Sequence, residues 1–593
     1  MVKQDSYFKG IAFVLFLFVF CYLLVRALFT EPLHDEIATF YFYIYHGDFV
    51  GRDLVFDANN HLLNSALGFV LYRIFGEHFF VFRLSNLLSF PIYFYALYQM
   101  MRYVKSQSLR TLGLFALVCI PFVLEYFAYC RGYGIGMAFF ALSIHFLIQF
   151  VQSEKTKLLV FSFASAWIAV FANMIFINTG LLIILYVLVW MLMNPTKWKS
   201  IVAWIVLFAV GLSPFIFFAF KLKQAGALYY GSLDGLWDVT GKSLSEMVFF
   251  SGSLIVGALL SALLLVILVN RIFFMLKQDW KEKLKSPAFI INYLLFSCIG
   301  LFLGLALILN VNYPEDRTGM YLIPLFLLSL IYLMDTTSWF KHLKWTLLFF
   351  PISFCFHLSI HSSIYSPDQR MSESFFKKVK AYLKPSHSLS SYHMNFWTWN
   401  LMDSKTEKQS STLLFNHSDE PFYDVILGKR GTIHNPQIFE LYDTLAFDEA
   451  THDVAFVRKY PLKKELLLET PTISTWADWE YVSLFETDSL EQFRIDQPIQ
   501  ISVDFTLLSH SKKHYLELVV QTLNENGETV ERMFYPIAFV YRNQLMNEHL
   551  LHHFVIDKIS KETKMLKVYI WNKGEDALDI KNGKCYLYTV KNP

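Results

Sequence analysis

Charge is sparse in this 593-residue chain: Asp, Glu, Lys and Arg together make up 17% of it, against 55% hydrophobic residues. Soluble domains carry about a quarter charged residues, so an ordinary soluble enzyme is excluded and a membrane protein is expected. The net charge is only +2, far from the basic surplus that nucleic-acid binding demands, and no nucleic-acid partner is expected. Cysteine is scarce too. Cys21, Cys119, Cys298 and Cys355 lie within apolar runs, Cys130 sits just past the end of one, and Cys585 is alone in the polar tail. Without a CxxC pair or an evenly spaced framework, neither a disulfide scaffold nor a thiolate metal site is predicted. Internal repeats and low-complexity tracts are also missing. No small-residue cleavage site follows the first apolar run, which ends near Phe29, so it reads as a retained signal anchor.

Apolar stretches of about 20 residues, long enough to cross a bilayer, recur from residue 8 to about residue 362. Eleven spans are predicted, at 8–29, 79–101, 109–128, 134–152, 157–173, 177–193, 200–220, 250–270, 287–309, 319–334 and 344–362. The spans themselves are nearly free of charge. Lys and Arg gather instead in every second connection, as in "MRYVKSQSLR", "SEKTK" and "NPTKWKS". The positive-inside rule then puts these connections and the N-terminus in the cytoplasm. Residues 30–78, 129–133, 174–176, 221–249 and 310–318 face outward, and an odd span count sends everything after residue 363 outside as well.

The expected fold class is therefore a polytopic α-helical membrane protein of about eleven helices followed by two soluble parts. Residues 1–363 form the membrane domain. Residues 364–475 mix helical stretches such as "SESFFKKVKAYL" with short strands and read as a mixed α/β segment. From 476 to 593 the period changes to two, in "IQISVDFTLL", "HYLELVVQTL" and "MLKVYIWN", with Asn526-Gly527 as a hairpin turn, which predicts a β-sandwich. Trp571 and Asn572 lie at a strand end there; they either bind sugar or, as strand tryptophans more often do, fill the core.

All the unusual polar residues fall in the outward connections. Asp35 and Glu36 follow the first span, and read either as a solvated, helix-capping pair or as part of a site. The same connection continues into Asn59, Asn60, His61 and Asn64 and then an apolar helix too short to span, placed along the membrane surface. Glu125, Arg131 and Tyr133, in "LEYFAYCRGYGIG", stand at the ends of the third and fourth spans, and Glu315, Asp316 and Arg317, in "NVNYPEDRTGMYLIPLF", precede a late one. One arginine alone reads as a snorkelling interfacial residue. Arginines at two outer lips with carboxylates on a third are what gripping and cleaving a phosphate ester requires: guanidinium forks hold the phosphate and a carboxylate takes a proton. Tyr229, Tyr230 and Trp237, in the 221–244 loop, read as a lid with stacking surfaces or as an interfacial aromatic belt.

In "HDE", "NNHLL", "CRGYGIG" and "PEDRTGMYLIP", taken in that order and on one side of the membrane, the chain resembles the GT-C glycosyltransferases, polytopic enzymes that include protein O-mannosyltransferases and the aminoarabinose transferase of lipid A. The resemblance covers about residues 1–360. It implies an inverting transfer of a sugar from a polyprenyl-phosphate donor to a lipid or macromolecular acceptor on the outer face; a lipid or solute transporter and a catalytically inactive membrane sensor are the alternative readings. Under it Asp35 is the general base, and Glu36 orients that base, holds the sugar or ligates a metal. Arg131 and Arg317, helped by His61, Asn60 and Tyr133, hold the donor phosphate, with Glu315 and Asp316 near the acceptor or lid. A divalent ion, if one is used, falls to Asp35 and Glu36. The implied location is the bacterial inner membrane, with the tail in the periplasm as an accessory domain.

Overall fold

The computed structural model describes residues 2–49, 57–194, 198–277, 280–394, 396–403, 418–488, 497–509, 516–537 and 547–593. It divides into two compact units: Met1–Glu31 with Phe42–Tyr365, and Pro32–Tyr41 with Ser366–Pro593.

The first unit is helical. Among the described residues six helices are long and apolar enough to cross a membrane: Ser6–Phe29, Phe79–Met101, Tyr133–Ser153, Met174–Met193, Trp198–Gln224 and Pro287–Leu309. A seventh is present if Trp237–Phe249 and Leu254–Asn270, bent by 103° at their break, count as one span. Several of the eleven predicted spans take a shorter or broken form, for local reasons. The span at 109–128 breaks at Cys119 and Ile120 because the residue before Pro121 is driven out of the helical region; Ile120 has ψ 106°. Thr156–Ala172 and Leu322–Thr336 are shorter helices of 17 and 15 residues. The run at 344–362 becomes a 3₁₀ segment, Ser338–Leu348, and a short helix, Phe349–Phe356.

A buried charge network accounts for the end of that run, after Phe356. The guanidinium of Arg26 is fully buried, donating to Glu125 Oε1 at 2.9 Å, to Tyr129 Oη at 2.7 Å and to the Ser359 carbonyl. Glu125 in turn accepts from Ser363 Oγ (2.8 Å) and from the Ile364 amide (2.9 Å). A buried ion pair needs its remaining lone pairs and protons filled, and an unwound backbone supplies them where a helix could not. Arg83, also buried, donates to the carbonyls of Ala27 (3.1 Å), Thr30 (2.8 Å) and Glu31 (3.3 Å), capping the first helix at its negative end. Two arginines of the nearly charge-free spans thus lie buried, both next to the same helix end.

The second unit holds a four-stranded sheet in the order β1-β2-β4-β3, made of β1 (Leu389–Tyr392), β2 (Val425–Lys429), β3 (Tyr442–Phe447) and β4 (Asp453–Arg458), with β1 parallel to β2. Two further sheets enclose one core. The strands are β5 (Lys463–Glu469), β6 (Ile473–Ala477), β7 (Tyr481–Thr487), β8 (Ile499–Ser509), β9 (Leu516–Leu523), β10 (Thr529–Pro536), β11 (Asn547–Ile556), β12 (Met565–Asn572) and β13 (Leu578–Lys591). Their orders are β10-β9-β12-β7 and β11-β8-β13-β5, with β6 also on β13. Val503, Phe505, Leu518, Val520, Val568 and Leu587 lie in the shared core, as period-two alternation predicts. The expected turn joins β9 to β10: the Gly527 amide donates to the Asn524 carbonyl (3.0 Å) and Gly527 has φ +76°. All six cysteines are free thiols.

Candidate active site

Arg131 lies in the turn between the Pro121–Glu125 helix and Tyr133–Ser153. The turn is pressed so tightly against its neighbours that a Cβ at Gly132 would run into the Ala172 carbonyl and the Cβ of His61; only glycine fits there. Arg131 is 2% exposed and its guanidinium donates to Asn59 Oδ1. The Asn59 amide donates to Asp57 Oδ1 at 2.9 Å, an Asx turn that fixes the 57–61 stretch. His61 meets Tyr133 edge to face at 4.9 Å. Behind them a buried amide relay holds the two stretches together. Asn86 Nδ2 donates to Asn64 Oδ1 (2.7 Å), the Ile135 amide donates to Asn86 Oδ1 (3.2 Å), and Asn64 Nδ2 reaches Cys130 Sγ (3.4 Å). Asn60 does the same within its own stretch, donating to the Phe49 carbonyl (2.5 Å) and accepting from Ser65 Oγ (3.0 Å).

Arg317 stands in a 3₁₀ turn, Asp316–Gly319, ahead of Leu322–Thr336. Asp316 opens it at φ +45°, a left-handed conformation that Asp tolerates better than most residues. Its amide donates to Ser243 Oγ at 2.9 Å, and the Thr318 hydroxyl accepts from the Glu315 amide at 2.8 Å. Burial raises the pKa of both Glu315 and Asp316; for Glu315 the charge of Asp316 adds to it, and for Asp316 the Tyr230 hydroxyl and Arg317 oppose it.

Tyr229 and Tyr230 link the two arginine turns. The Tyr229 hydroxyl donates to Asp57 Oδ2 (3.3 Å), on the stretch that holds Arg131. The Tyr230 hydroxyl donates to Asp316 Oδ2 (3.1 Å), while the Arg317 guanidinium lies over the Tyr230 ring at 4.7 Å. Burial raises the pKa of Tyr230 above the usual phenol value, against Arg317 and with smaller help from Asp316 and Tyr133. Gly231, at φ +82°, makes the turn after the pair possible, since a Cβ there would strike the Tyr313 carbonyl. The Tyr313 amide donates back to the Ser232 carbonyl at 2.9 Å. Sequence reasoning passed over Asp57, although "FDANN" carries the Asx-turn signal two residues before Asn59, and over Tyr43, whose pKa burial raises, helped by Asp57 and opposed by Arg131.

Trp237 does not join this group. The region expected to be loop becomes helical at Trp237, and its indole packs against Gly241 and Gly257 beside an apolar cavity of about 240 Å³, also lined by Leu244, Phe249, Leu295 and Phe326. Glu125 is drawn away as well, into its pair with Arg26. Asp35 and Glu36 belong to the second unit. They lie on the His34–Thr39 helix, which packs on Phe396–Asp403; the His34 ring meets Phe396 edge to face at 5.1 Å. Burial pushes His34 down to about 4, so it is neutral beside Asp35 at neutral pH. Glu36 is buried and accepts from the Leu33 amide at 3.1 Å, capping its own helix. Asp35 is half-buried. Among the described residues no three His, Cys, Asp or Glu side chains converge as metal ligands, and Glu36 Oε2 is engaged as a cap.

No protein-family model matches the chain, and no curated protein matches it. Among solved structures it is similar to ArnT from Cupriavidus metallidurans in the apo state, with 13% identity and a TM-score of 0.37 over 75% of this chain and 97% of that one. It is similar to the same protein bound to undecaprenyl phosphate, with 13% identity and a TM-score of 0.34 over 77% and 98% of the two chains. A third similarity is to the arabinosyltransferase EmbB from Mycobacterium smegmatis, with 11% identity and a TM-score of 0.29 over 97% of this chain and 64% of that one.

Proposed function

We propose that the chain is a membrane glycosyltransferase that moves a sugar from a polyprenyl-phosphate donor to a lipid or macromolecular acceptor, with inversion, at the periplasmic face of a bacterial inner membrane. The observation that carries this reading is the pairing of two arginine turns by adjacent tyrosines: Tyr229 reaches Asp57 beside the Asn59 that holds Arg131, and Tyr230 reaches Asp316 and Arg317. Guanidinium forks grip a phosphate bidentately, and Arg131 and Arg317 are assigned that role in this reading. Arg26, Arg83 and Glu125 are buried together at the end of the first helix, which favours chemistry at one surface over passage of a solute through the bilayer.

The acceptor hydroxyl oxygen attacks the anomeric carbon from the face opposite the phosphate. The bond from that carbon to the phosphate oxygen breaks, and polyprenyl phosphate leaves with the electron pair. Asp35 takes the acceptor proton. Arg131 and Arg317 neutralise the charge that grows on the leaving phosphate; losing one such donor costs about 2.7–4 kcal/mol of barrier. One displacement needs one base, so Asp35 suffices without a second carboxylate nucleophile. Glu36 secures the helix that carries Asp35, and His61 and Tyr133 back the Arg131 turn.

Release of polyprenyl phosphate from a polyprenyl-phosphate sugar by the purified protein in detergent tests this. Arg317→Ala is expected to lower the rate by about 10²–10³-fold. Release that is absent with pooled acceptor extract, or indifferent to Arg317→Ala and Arg131→Ala, would overturn the reading.

A further inference from the structure

The sandwich carries an aromatic cluster that the transfer reaction leaves unused. Along β12, Leu566, Val568 and Ile570 enter the core, so Tyr569 and Trp571 point to the other face of the sheet. There Trp571 lies beside Tyr481 of β7, with ring centres 6.0 Å apart and planes 21° apart, and beside Phe534 of β10 at 6.3 Å. Tyr481 also meets Tyr569 edge to face at 5.8 Å. Tyr481 is 52% exposed, and Trp571 and Phe534 are half-buried. Trp571 therefore lies outside the core.

Every ring is bordered by an oriented polar group. Trp571 Nε1 donates to Glu480 Oε1 at 3.1 Å, and Lys573 Nζ stands 4.2 Å from the indole centre while bonded to Glu517 at 3.1 Å. The Tyr569 hydroxyl donates to Gln521 Oε1 at 2.9 Å, and Arg532 lies over Phe534 at 5.9 Å. Asn572, the neighbour singled out with Trp571, is fully buried and positions the Glu480 loop: its amide donates to the Glu480 carbonyl at 2.7 Å and its side chain to the Asp576 carbonyl at 2.8 Å. The acids Glu480 and Glu517 balance Lys573 and Arg532, so the rim has no net sign. That disfavours an anionic lipid surface or a charged peptide and matches a neutral ligand with one C–H face and a rim of hydroxyls. We propose that this outer face of the β10-β9-β12-β7 sheet is a carbohydrate-binding site that takes a pyranose against Trp571 and Tyr481, with Glu480, Glu517 and Lys573 meeting its hydroxyls. The inference concerns the sandwich alone and stands whether or not the transferase reading does.

Isothermal titration of the full-length protein in detergent with chitohexaose, maltohexaose and mannohexaose tests it. At least one sugar binds with a Kd below about 10 mM; Trp571→Ala and Tyr481→Ala each weaken it at least about tenfold, and Trp571→Tyr retains most of it. Trp476→Ala, which removes an exposed ring from β6 in the other sheet, leaves binding unchanged. If Trp571→Ala does not fold, Tyr481→Ala and Trp571→Tyr decide. The proposal is overturned if none of the three sugars binds, if Trp476→Ala weakens binding as much, or if Trp571→Ala instead abolishes a dimer or attachment to phosphatidylglycerol vesicles.

Discussion

Tyr230 uses its ring and its hydroxyl for different partners, which makes the two separable. The ring lies under the Arg317 guanidinium and the hydroxyl donates to Asp316. Tyr230→Phe keeps the first and loses the second. At a site 36% exposed, the cation–π contact is worth about 0.5–1 kcal/mol. Tyr230→Ala should therefore lower kcat/KM for the donor about two- to fivefold further than Tyr230→Phe does. Equal rates for the two variants would show that the ring does not hold Arg317. At this scale the sequence was readable where polar residues stand out against apolar runs: Arg131, His61, Tyr133, Tyr230, Asp316 and Arg317 all come into one connected group. Tyr43 was missed because it looks ordinary in an aromatic run and matters only through what it faces, and Asp57 because its Asx-turn signal marks a turn and not the tyrosine that the turn meets.

At the scale of elements, apolar content alone promised spans that buried polar groups then interrupted. Residues 344–362 are apolar enough for a helix, yet the chain unwinds after Phe356 because its backbone and Ser363 are needed by Arg26 and Glu125. Those partners are 99 residues apart in the chain, and Arg26 sits inside an apolar run, so no local pattern announces the pair. Arg26→Ala would leave Glu125 buried beside a lost cation and destabilise the first unit by about 3–5 kcal/mol. The double variant Arg26→Met with Glu125→Leu should recover most of that loss in thermal unfolding followed by helical circular dichroism. A double variant no more stable than the single one would contradict this role for the pair. The strands were easier to read, because alternation over a half-buried sheet is a local signal; the order in which they pair is not.

At the scale of the whole molecule, acid should act first on the sandwich. Burial pushes His552 down to about 3 and His553 to about 4, both on β11. In the unfolded chain each takes a proton near pH 6.5. Between about 6.5 and 4 the unfolded state therefore binds more protons than the folded one, and stability falls as pH falls. Asp557 has the opposite sign. Burial raises it to about 6, so protonation below that favours the folded state and offsets part of the loss. Two histidines against one acid leave a net loss of roughly 1–3 kcal/mol between pH 7 and 5. Tm measured across that range, on the transition followed by β-sheet signal, should fall, and His552→Phe should flatten the slope. A Tm that rises on acidification would contradict the assignment.

In the reaction we propose, Asp35 takes the acceptor proton while Arg131 and Arg317 hold the donor phosphate. The most direct test compares parent and Asp35→Asn for sugar transfer and, separately, for binding of polyprenyl phosphate. Asp35→Asn should lower transfer by about 10²–10⁴-fold and leave binding of the lipid phosphate unchanged. Transfer at the parent rate, or loss of transfer only in step with loss of lipid binding, would contradict it.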